Sequence, residues 1–219
     1  MSKPRATSAM LSLVALIMTA TAGSAVAQPP SSEPVLGAAE AQTTSPVGAG
    51  SNACRRLTDF TADDTGRWFV VNDGVMGGRS DGGGFIDGSV LRFEGEVVTD
   101  GGGFTSARLQ LEGDELVDTT RIEMRMRPDG RTYGLTLEDA AQFRGRFVSH
   151  RADLEAGPID ADGWATAVVE YEELVPSVFG VLVDAPAFDP GTAREFGIII
   201  ADGIDGEFVL DIDWIDACA

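Results

Sequence analysis

The chain has 219 residues and a formal net charge of −19, from 35 acidic and 16 basic residues. Such an excess of negative charge repels phosphate backbones, so the composition argues against a nucleic-acid ligand and gives no electrostatic support for binding to an anionic membrane. The length is sufficient for one domain with a substantial core.

The first 27 residues have the pattern of a secretory signal. Lys3 and Arg5 precede an uncharged run that ends in Ala25-Val26-Ala27. A short basic region, an apolar stretch and an A-x-A ending predict export and cleavage after Ala27. We therefore expect a periplasmic or secreted protein without a membrane span after cleavage. An uncleaved anchor is the alternative, because about 20 apolar residues can span a bilayer.

Residues 28–53 are rich in Pro, Ser, Thr, Gly and Ala and show almost no periodic apolar pattern. Such a segment cannot bury enough surface to offset the entropy of ordering, so it is predicted to be a disordered linker. The remaining residues, 54–219, form one predicted domain. Its two cysteines, Cys54 and Cys218, flank that domain, and in an oxidising compartment they predict a disulfide. Two unpaired thiols or an intermolecular bridge remain alternatives.

Two glycine-bearing segments carry turn-forming residues. Val71–Ser80 reads Val-Asn-Asp-Gly-Val-Met-Gly-Gly-Arg-Ser, and Gly101–Arg108 reads Gly-Gly-Gly-Phe-Thr-Ser-Ala-Arg. Asn, Asp and Gly tolerate a positive φ, so the first segment predicts a sharp reversal of the chain. Val75 and Met76 follow that turn, which indicates that the backbone lies close to the domain's own sheet or to a partner. We predict that the two segments lie side by side.

Alternating apolar and polar residues predict short antiparallel strands. No long stretch has a helical period of 3.6 residues, and Ala140–Gln142 is expected to form a helical turn at most. Short strands separated by glycine-rich turns predict an all-β sandwich of mostly antiparallel strands. The clearest predicted strands are Leu91–Val97, Arg121–Arg127, Thr132–Leu137, Phe196–Ile200 and Glu207–Ile215.

The last predicted strand carries both core residues and carboxylates. Strict alternation places Phe208, Leu210, Ile212 and Trp214 on the core side, and it places Asp211 and Asp213 together on the opposite side. Paired carboxylates can perform acid and base chemistry. They are also common on any solvated strand of so acidic a chain, and the sequence places no nucleophile beside them. No catalytic residue is therefore predicted.

These motifs, taken in order, resemble the complex I intermediate-associated protein 30 family. The resemblance implies a galactose-binding-domain-like jelly-roll β-sandwich over residues 54–219. It also implies a non-catalytic assembly or accessory role, since known members help to build the respiratory NADH dehydrogenase. The matching stretches are Trp68 with Val71–Ser80, Gly102-Gly103-Phe104 with Ser106 and Arg108, Arg127–Tyr133, Trp164, and Gly206–Ile215.

The sequence is compatible with three functions. The first is a module for protein interaction or assembly. The second is a carbohydrate-binding module, with Trp68 or Trp164 stacking on sugars, and the third is an aspartate-dependent hydrolase of the cell envelope. The candidate interaction motif of the first function comprises Asn72, Asp73, Gly74, Val75, Met76, Gly77, Gly78, Arg79, Ser80, Gly102, Gly103, Phe104, Ser106 and Arg108.

Other polar residues give weaker indications. His150 is the single histidine and belongs to no recognisable triad, so a surface position is expected. Arg79 and Arg108 are expected to meet an acidic partner or to pair with Asp73 or Asp81. No cofactor and no metal site is predicted; a structural calcium ion is a weak alternative, with candidate ligands Asp63, Asp64, Asp202 and Asp205.

Overall fold

The computed structural model describes residues 53–61 and 66–219. The predicted signal peptide, the predicted linker up to residue 52 and the calcium candidates Asp63 and Asp64 lie outside the described residues. The strands of the described part are β1 (Cys54–Thr58), β2 (Trp68–Asn72), β3 (Asp81–Asp87), β4 (Val90–Val97), β5 (Thr105–Gln110), β6 (Arg121–Arg127), β7 (Tyr133–Phe143), β8 (Arg146–Asp153), β9 (Ala165–Glu170), β10 (Val175–Val178), β11 (Val181–Leu182), β12 (Glu195–Ile200) and β13 (Gly206–Cys218).

The strands form two antiparallel sheets. The six-stranded sheet has the order β3-β4-β13-β6-β9, and β1 pairs with β13 beyond the end of β4. The seven-stranded sheet has the order β11-β10-β8-β7-β12-β5-β2. The prediction of an all-β antiparallel sandwich is thereby confirmed. Three short 3-10 turns are the helical elements of the described residues, and none of them is long and apolar enough to cross a membrane.

The core lies between the two sheets, because alternate residues of each strand point inward. On β6, Ile122, Met124 and Met126 are 2% exposed or less, as their alternation predicts. Phe196, Ile198 and Ile200 of β12 are fully buried on the facing sheet. Aromatic rings also meet across the sandwich: the centroids of Tyr133 on β7 and Phe208 on β13 are 6.4 Å apart.

The predicted core position of Trp214 is wrong, because β13 contains a bulge. The pairing with β6 shifts between Ile212 and Trp214, so Asp213 is an extra residue in the strand. One extra residue reverses the alternation, and Ile215 instead of Trp214 points into the core. Trp214 lies on the outer face, where the guanidinium of Arg56 stands 4.9 Å from its ring centroid.

Strand β7 is longer than predicted and includes Ala140–Gln142, which are not helical. The register with β8 shifts between Glu138 and Gln142. At this irregularity the buried carboxylate of Asp139 accepts hydrogen bonds from the amides of Ala141, at 2.7 Å, and Asp189, at 2.8 Å. The Asp139 carboxylate thus accepts hydrogen bonds where the pairing between β7 and β8 is interrupted, and β7 continues past the irregularity.

The predicted surface position of His150 is wrong. His150 lies on β8 and is fully buried. Its ring centroid is 5.6 Å from that of Phe188, and its Nε2 is 3.2 Å from the carbonyl oxygen of Pro186. The segment between β11 and β12 covers the histidine, a long-range contact that local sequence does not reveal.

Cys54 and Cys218 form a disulfide, as predicted, with their Cα atoms 4.0 Å apart. They are directly opposed in the antiparallel pair of β1 and β13. Among the described residues, these sulfurs and the carboxylate of Glu123 are the candidate metal ligands that come within 4.8 Å of one another. Because both sulfurs are bonded to each other, they are not available as thiolate ligands.

Candidate functional site

The two glycine-bearing segments meet around the carboxylate of Asp73, which is fully buried. Asp73 begins the 3-10 turn Asp73–Met76 that follows β2. Its carboxylate accepts hydrogen bonds from the amide and hydroxyl of Ser80, at 2.9 and 2.6 Å, and from the amides of Gly103 and Phe104, at 2.6 and 3.3 Å. One side chain therefore fastens both segments, and the prediction that they lie side by side is confirmed.

Asp73 also explains two of the glycines. A Cβ on Gly78 or on Gly102 would overlap the Asp73 carboxyl group, so each position requires glycine for steric reasons. Gly77 has a φ of 91°, which a side chain would strain. These glycines serve the close approach of the backbone to Asp73, and this part of the candidate interaction motif is scaffold.

The environment of Asp73 favours its charged form. Burial raises the pKa of the carboxyl group, but hydrogen bonds from the Ser80 hydroxyl and from the amides of Gly103, Phe104 and Ser80 outweigh burial and hold the pKa below its ordinary value. The carboxylate is therefore ionised at neutral pH and acts as a fixed acceptor.

Asn72 extends the same junction toward β3. Its amide donates to the carbonyl of Gly82, at 3.3 Å, and its oxygen accepts from the hydroxyl of Thr105. A Cβ on Gly82 would overlap that threonine. The junction thus links the edge strands of the two sheets, β3 and β2, through short polar side chains.

Arg79 and Arg108 pair internally, though not with the predicted partners. Arg79 meets the carboxylate of Asp100 at 2.5 Å on the surface. Arg108 meets Glu195 at 2.8 Å and donates to the Ser106 hydroxyl at 3.0 Å. Asp73 is surrounded by amide and hydroxyl donors instead of a guanidinium, so the prediction of an Arg–Asp73 pair is wrong.

A cleft of about 530 Å³ opens on the outer face of the seven-stranded sheet. Of the predicted motif, Met76, Phe104, Ser106 and Arg108 line this cleft. The remaining lining residues come from later strands and turns that the motif does not include: Thr136, Glu138, Gly145, Arg146, Phe147, Ser149, Arg151, Ser177, Val178, Phe179, Gly180, Ile199 and Ala201.

Two glycines of the seven-stranded sheet, Gly197 and Gly134, leave room for side chains that line the cleft. Gly197 stands between Arg108 of β5 and Thr136 of β7 in the sheet register. A Cβ there would overlap the threonine hydroxyl. Gly134 leaves room for the guanidinium of Arg151, whose Nε would lie 2.7 Å from an added Cβ. Small residues therefore let long polar side chains lie along the sheet.

The rim of the cleft exposes large apolar side chains. Phe179 is 70% exposed, Met76 is 61% exposed and Phe147 is 41% exposed. Phe179 has a φ of 51°, in the left-handed region, at the turn between β10 and β11. A phenylalanine held in that conformation and pointed at solvent indicates a surface shaped for contact with another molecule.

Glu138 is the carboxylate of the cleft. Burial, and then repulsion from Glu195 on the neighbouring strand, raise its pKa, and the nearby charges of Arg108 and Arg194 oppose that rise. Within the described residues its carboxylate has no hydrogen bond and no ion pair. A perturbed carboxyl group in a cleft marks a candidate ligand contact.

The outer face of the six-stranded sheet presents a different arrangement. Asp211, 4% exposed, receives Arg92 at 2.7 Å and Arg127 at 3.1 Å. Asp213 receives Arg125 at 2.9 Å. Hydrogen bonds from Arg92 lower the pKa of Asp211 more than burial raises it. Both carboxylates of the hydrolase hypothesis are thus occupied by guanidinium groups.

The two calcium candidates that are described are occupied by protein donors. Arg131 binds both carboxylate oxygens of Asp202, at 2.7 and 2.9 Å, and also donates to the carbonyls of Ile204, Gly206 and Glu207. Asp205 accepts from the amide of Thr99 at 2.6 Å. A guanidinium surrounded by five oxygens closes this loop, as a metal ion would.

The tryptophans that were predicted as sugar platforms lie away from the cleft. Trp68 packs against Phe60 and Phe196, with centroid distances of 5.6 and 6.2 Å. Trp164 lies beneath Arg127, at 4.4 Å, on the side of the six-stranded sheet. Phe147, at the start of β8, and Phe179, in the turn between β10 and β11, supply the exposed rings of the cleft instead.

The fold and the cleft define a β-sandwich module with a cleft across the outer face of one sheet. It resembles the family 11 carbohydrate-binding module of the cellulosomal cellulase Lic26A-Cel5E of Clostridium thermocellum, with a TM-score of 0.54 and 11% identity over 76% of this chain and 95% of that one. The chain belongs to the complex I intermediate-associated protein 30 family, whose sequence profile matches residues 58–212.

A second structure of that Clostridium thermocellum module, in complex with a β-1,3-1,4-mixed-linked tetrasaccharide, matches with a TM-score of 0.52 and 12% identity over 75% of this chain and 94% of that one. Identities this low establish a shared fold and nothing about the ligand. No curated protein matches the chain by sequence.

Proposed function

We propose that this chain is an exported, non-catalytic binding module that holds a segment of a protein partner in the cleft of its seven-stranded sheet, in an accessory or assembly role. The observation that carries the proposal is the cleft itself, with exposed apolar side chains at its rim and polar side chains on its floor. Membership of an assembly-factor family supports the accessory role.

The chemistry of the cleft suits an extended polypeptide. The exposed rings of Phe147 and Phe179 and the thioether of Met76 offer apolar contacts for side chains of a partner. Thr136, Ser149 and Glu138 offer hydrogen-bonding groups on the floor for the partner's backbone. Interfaces of this kind depend on a few apolar anchors surrounded by polar groups.

Export is supported by the sequence of residues 1–27 and by the disulfide between Cys54 and Cys218, since such bonds persist in oxidising compartments. A non-catalytic role is supported by the occupation of Asp211 and Asp213 by arginines. Fusion of the first 27 residues to a reporter that is active only after export tests the compartment; cytoplasmic retention of that reporter would contradict it.

Site-specific photo-crosslinking in cells tests the binding surface. A photoreactive phenylalanine analogue replaces Phe179 in the cleft or, as a matched control, Phe85 on the six-stranded sheet, which is 47% exposed. We expect a discrete protein adduct from position 179 and none from position 85. Adducts of equal yield from both positions, or none from position 179, would contradict a protein-binding cleft.

A glycan is the second candidate ligand, favoured by the sandwich fold shared with a module solved in complex with a mixed-linked tetrasaccharide. Exposed rings beside polar groups also suit sugars. Affinity electrophoresis in gels containing mixed-linked β-glucan discriminates the two ligands. Retardation that disappears in Phe147→Ala and Phe179→Ala would favour the glycan, and unchanged mobility would favour the protein partner.

A further inference from the structure

Three arginines at one end of the cleft differ from the other described arginines. Arg144, Arg146 and Arg194 are exposed, and within the described residues none of them has a carboxylate within ion-pair distance. Ten described arginines do have such a partner, and Arg55 donates to the carbonyl of Val117. In a chain with a net charge of −19, three cations without carboxylate partners in one place need an explanation.

Each of the three guanidinium groups lies over a phenylalanine ring. The distances to the ring centroid are 5.1 Å for Arg144 over Phe143, 5.5 Å for Arg146 over Phe179, and 3.6 Å for Arg194 over Phe147. We call these six residues the arginine rim.

The sequence folds these residues into one surface. Phe143 and Arg146 are opposed in the β7–β8 hairpin, whose turn places Arg144 at a φ of 51° and Gly145 at a φ of 75°. Phe179 comes from the turn between β10 and β11, and Arg194 directly precedes β12. Arg146, Phe147 and Phe179 line the cleft, so the arginine rim is continuous with the proposed binding surface.

Stacking on a ring orients a guanidinium while its N–H groups stay directed toward solvent. These donors match a carboxylate in geometry and charge, and an aromatic support reduces the entropy lost when the pair forms. At physiological ionic strength the Debye length is about 8 Å, so negative charges on the far side of the domain are screened from a ligand at the rim. The charge of Glu138, the carboxylate of the cleft, is already offset by Arg108 and Arg194.

We propose that the arginine rim binds glutamate and aspartate side chains of an acidic segment of the partner, at one end of the cleft. This inference rests on the proposed protein-binding function and specifies the partner's chemistry. The adjacent rings of Phe147 and Phe179 would contact apolar side chains between the acidic ones, which favours a polypeptide over a polymer of uniformly high charge density.

The test measures fluorescence anisotropy of a labelled peptide that alternates glutamate with leucine, at physiological ionic strength. The same peptide with glutamine in place of glutamate is the control ligand. We expect the full chain to bind the glutamate peptide about tenfold more tightly, because three exposed ion pairs each add a small increment to the affinity. Equal affinity for both peptides would overturn the inference.

Two triple variants locate the effect. R144Q/R146Q/R194Q should lose about tenfold in affinity for the glutamate peptide. R55Q/R56Q/R127Q removes the same charge from exposed arginines of the six-stranded sheet and should bind as the parent does. Equal losses in both variants would show a general charge effect and overturn the inference, with circular dichroism verifying that both are folded.

The remaining outcomes separate the two proposals. Binding of polygalacturonate, with loss in the rim variant and without binding of the glutamate peptide, would assign the rim to an acidic glycan and overturn the polypeptide inference. If the adduct from position 179 persists in the rim variant at full yield, the inference fails while the protein-binding cleft stands. If position 179 gives no adduct in the parent chain, the proposed function itself fails.

Discussion

The outer faces of the two sheets differ in how they use charge. On the six-stranded sheet, Asp211 lies between Arg92 and Arg127, and Asp213 meets Arg125. On the seven-stranded sheet, Glu138 has no partner among the described residues and the arginine rim has no carboxylates. The first face pairs its central carboxylates with guanidinium groups, whereas the second, besides internal pairs such as Arg108 with Glu195, leaves Glu138, the arginine rim and exposed rings available. The candidate binding surface is therefore recognised by the interactions that these described residues lack.

Asp73→Ala should cause the largest loss, because Asp73 holds the junction that borders both faces. The substitution leaves the Ser80, Gly103 and Phe104 amides without their acceptor, at an expected cost of about 3–5 kcal/mol in the free energy of unfolding. Urea denaturation measures it. Asp100→Ala is the control: that side chain is 87% exposed, so its loss should stay within about 0.5 kcal/mol. Equal losses would contradict the scaffold role.

Asp211→Asn should destabilise the six-stranded sheet by about 1–2 kcal/mol, since it leaves Arg92 and Arg127 without their shared charge partner. Asp213→Asn should lower the free energy of unfolding by less. The side chain of Asp213 is 31% exposed and pairs with a single guanidinium, that of Arg125 on the neighbouring strand β6. Thermal unfolding of the two variants ranks them. The reverse order would show that the pairing at Asp211 is not the stronger one.

Acid should weaken the fold through the carboxylates whose pKa is lowered. Asp73 and Asp211 have pKa values below their ordinary value of 3.8, so their stabilising contribution is complete above that pH. It is lost as pH falls below 3.8 and through the pKa of the folded state. Urea midpoints measured at decreasing pH should drop in the parent chain and drop less in Asp73→Asn. Identical slopes would exclude a contribution from Asp73.

Glu138→Gln should have the smallest effect on stability and the opposite sign. Because burial and Glu195 raise the pKa of Glu138, its ionised form is unfavourable in the folded state at neutral pH. Glutamine removes that charge, so the urea midpoint should rise slightly at pH 7, and this gain should vanish as pH falls below the ordinary pKa of 4.5. A lower midpoint at pH 7 would indicate that this carboxylate is part of an internal pair like those of the other face.

The sequence predicts the framework of the sandwich well. Alternation on β6 identifies its core residues, and the turn residues of Val71–Ser80 locate the junction with Gly101–Arg108. Alternation fails at Trp214, because a bulge of one residue exchanges the two faces of a strand and leaves no local pattern. Alternation also does not predict the burial of His150, because the residues that pack over it come from a distant segment around Pro186.

The sequence predicts fewer features of the cleft than of the fold. The predicted part of the cleft consists of Met76, in the 3-10 turn after β2, and of Phe104, Ser106 and Arg108, which lie on and beside β5. The remainder comes from the β7–β8 hairpin, from β10 with the β10–β11 turn, and from the end of β12, which the sheet order brings together. The predicted motif is centred on Asp73, which is a structural residue. Glycine-rich segments occur where the backbone packs closely as well as where it binds ligands, so the pattern alone does not distinguish the two.

The disulfide has a mechanical consequence. Cys54 is the first residue of β1, and its bond to Cys218 ties it to β13, a strand paired along both edges. If tension is applied to the residues before Cys54, the covalent bond transmits the force into the middle of the six-stranded sheet. Peeling β1 away from β13 rung by rung is then blocked, and separation of the two ends also requires breaking the pairing of β13 with its neighbours.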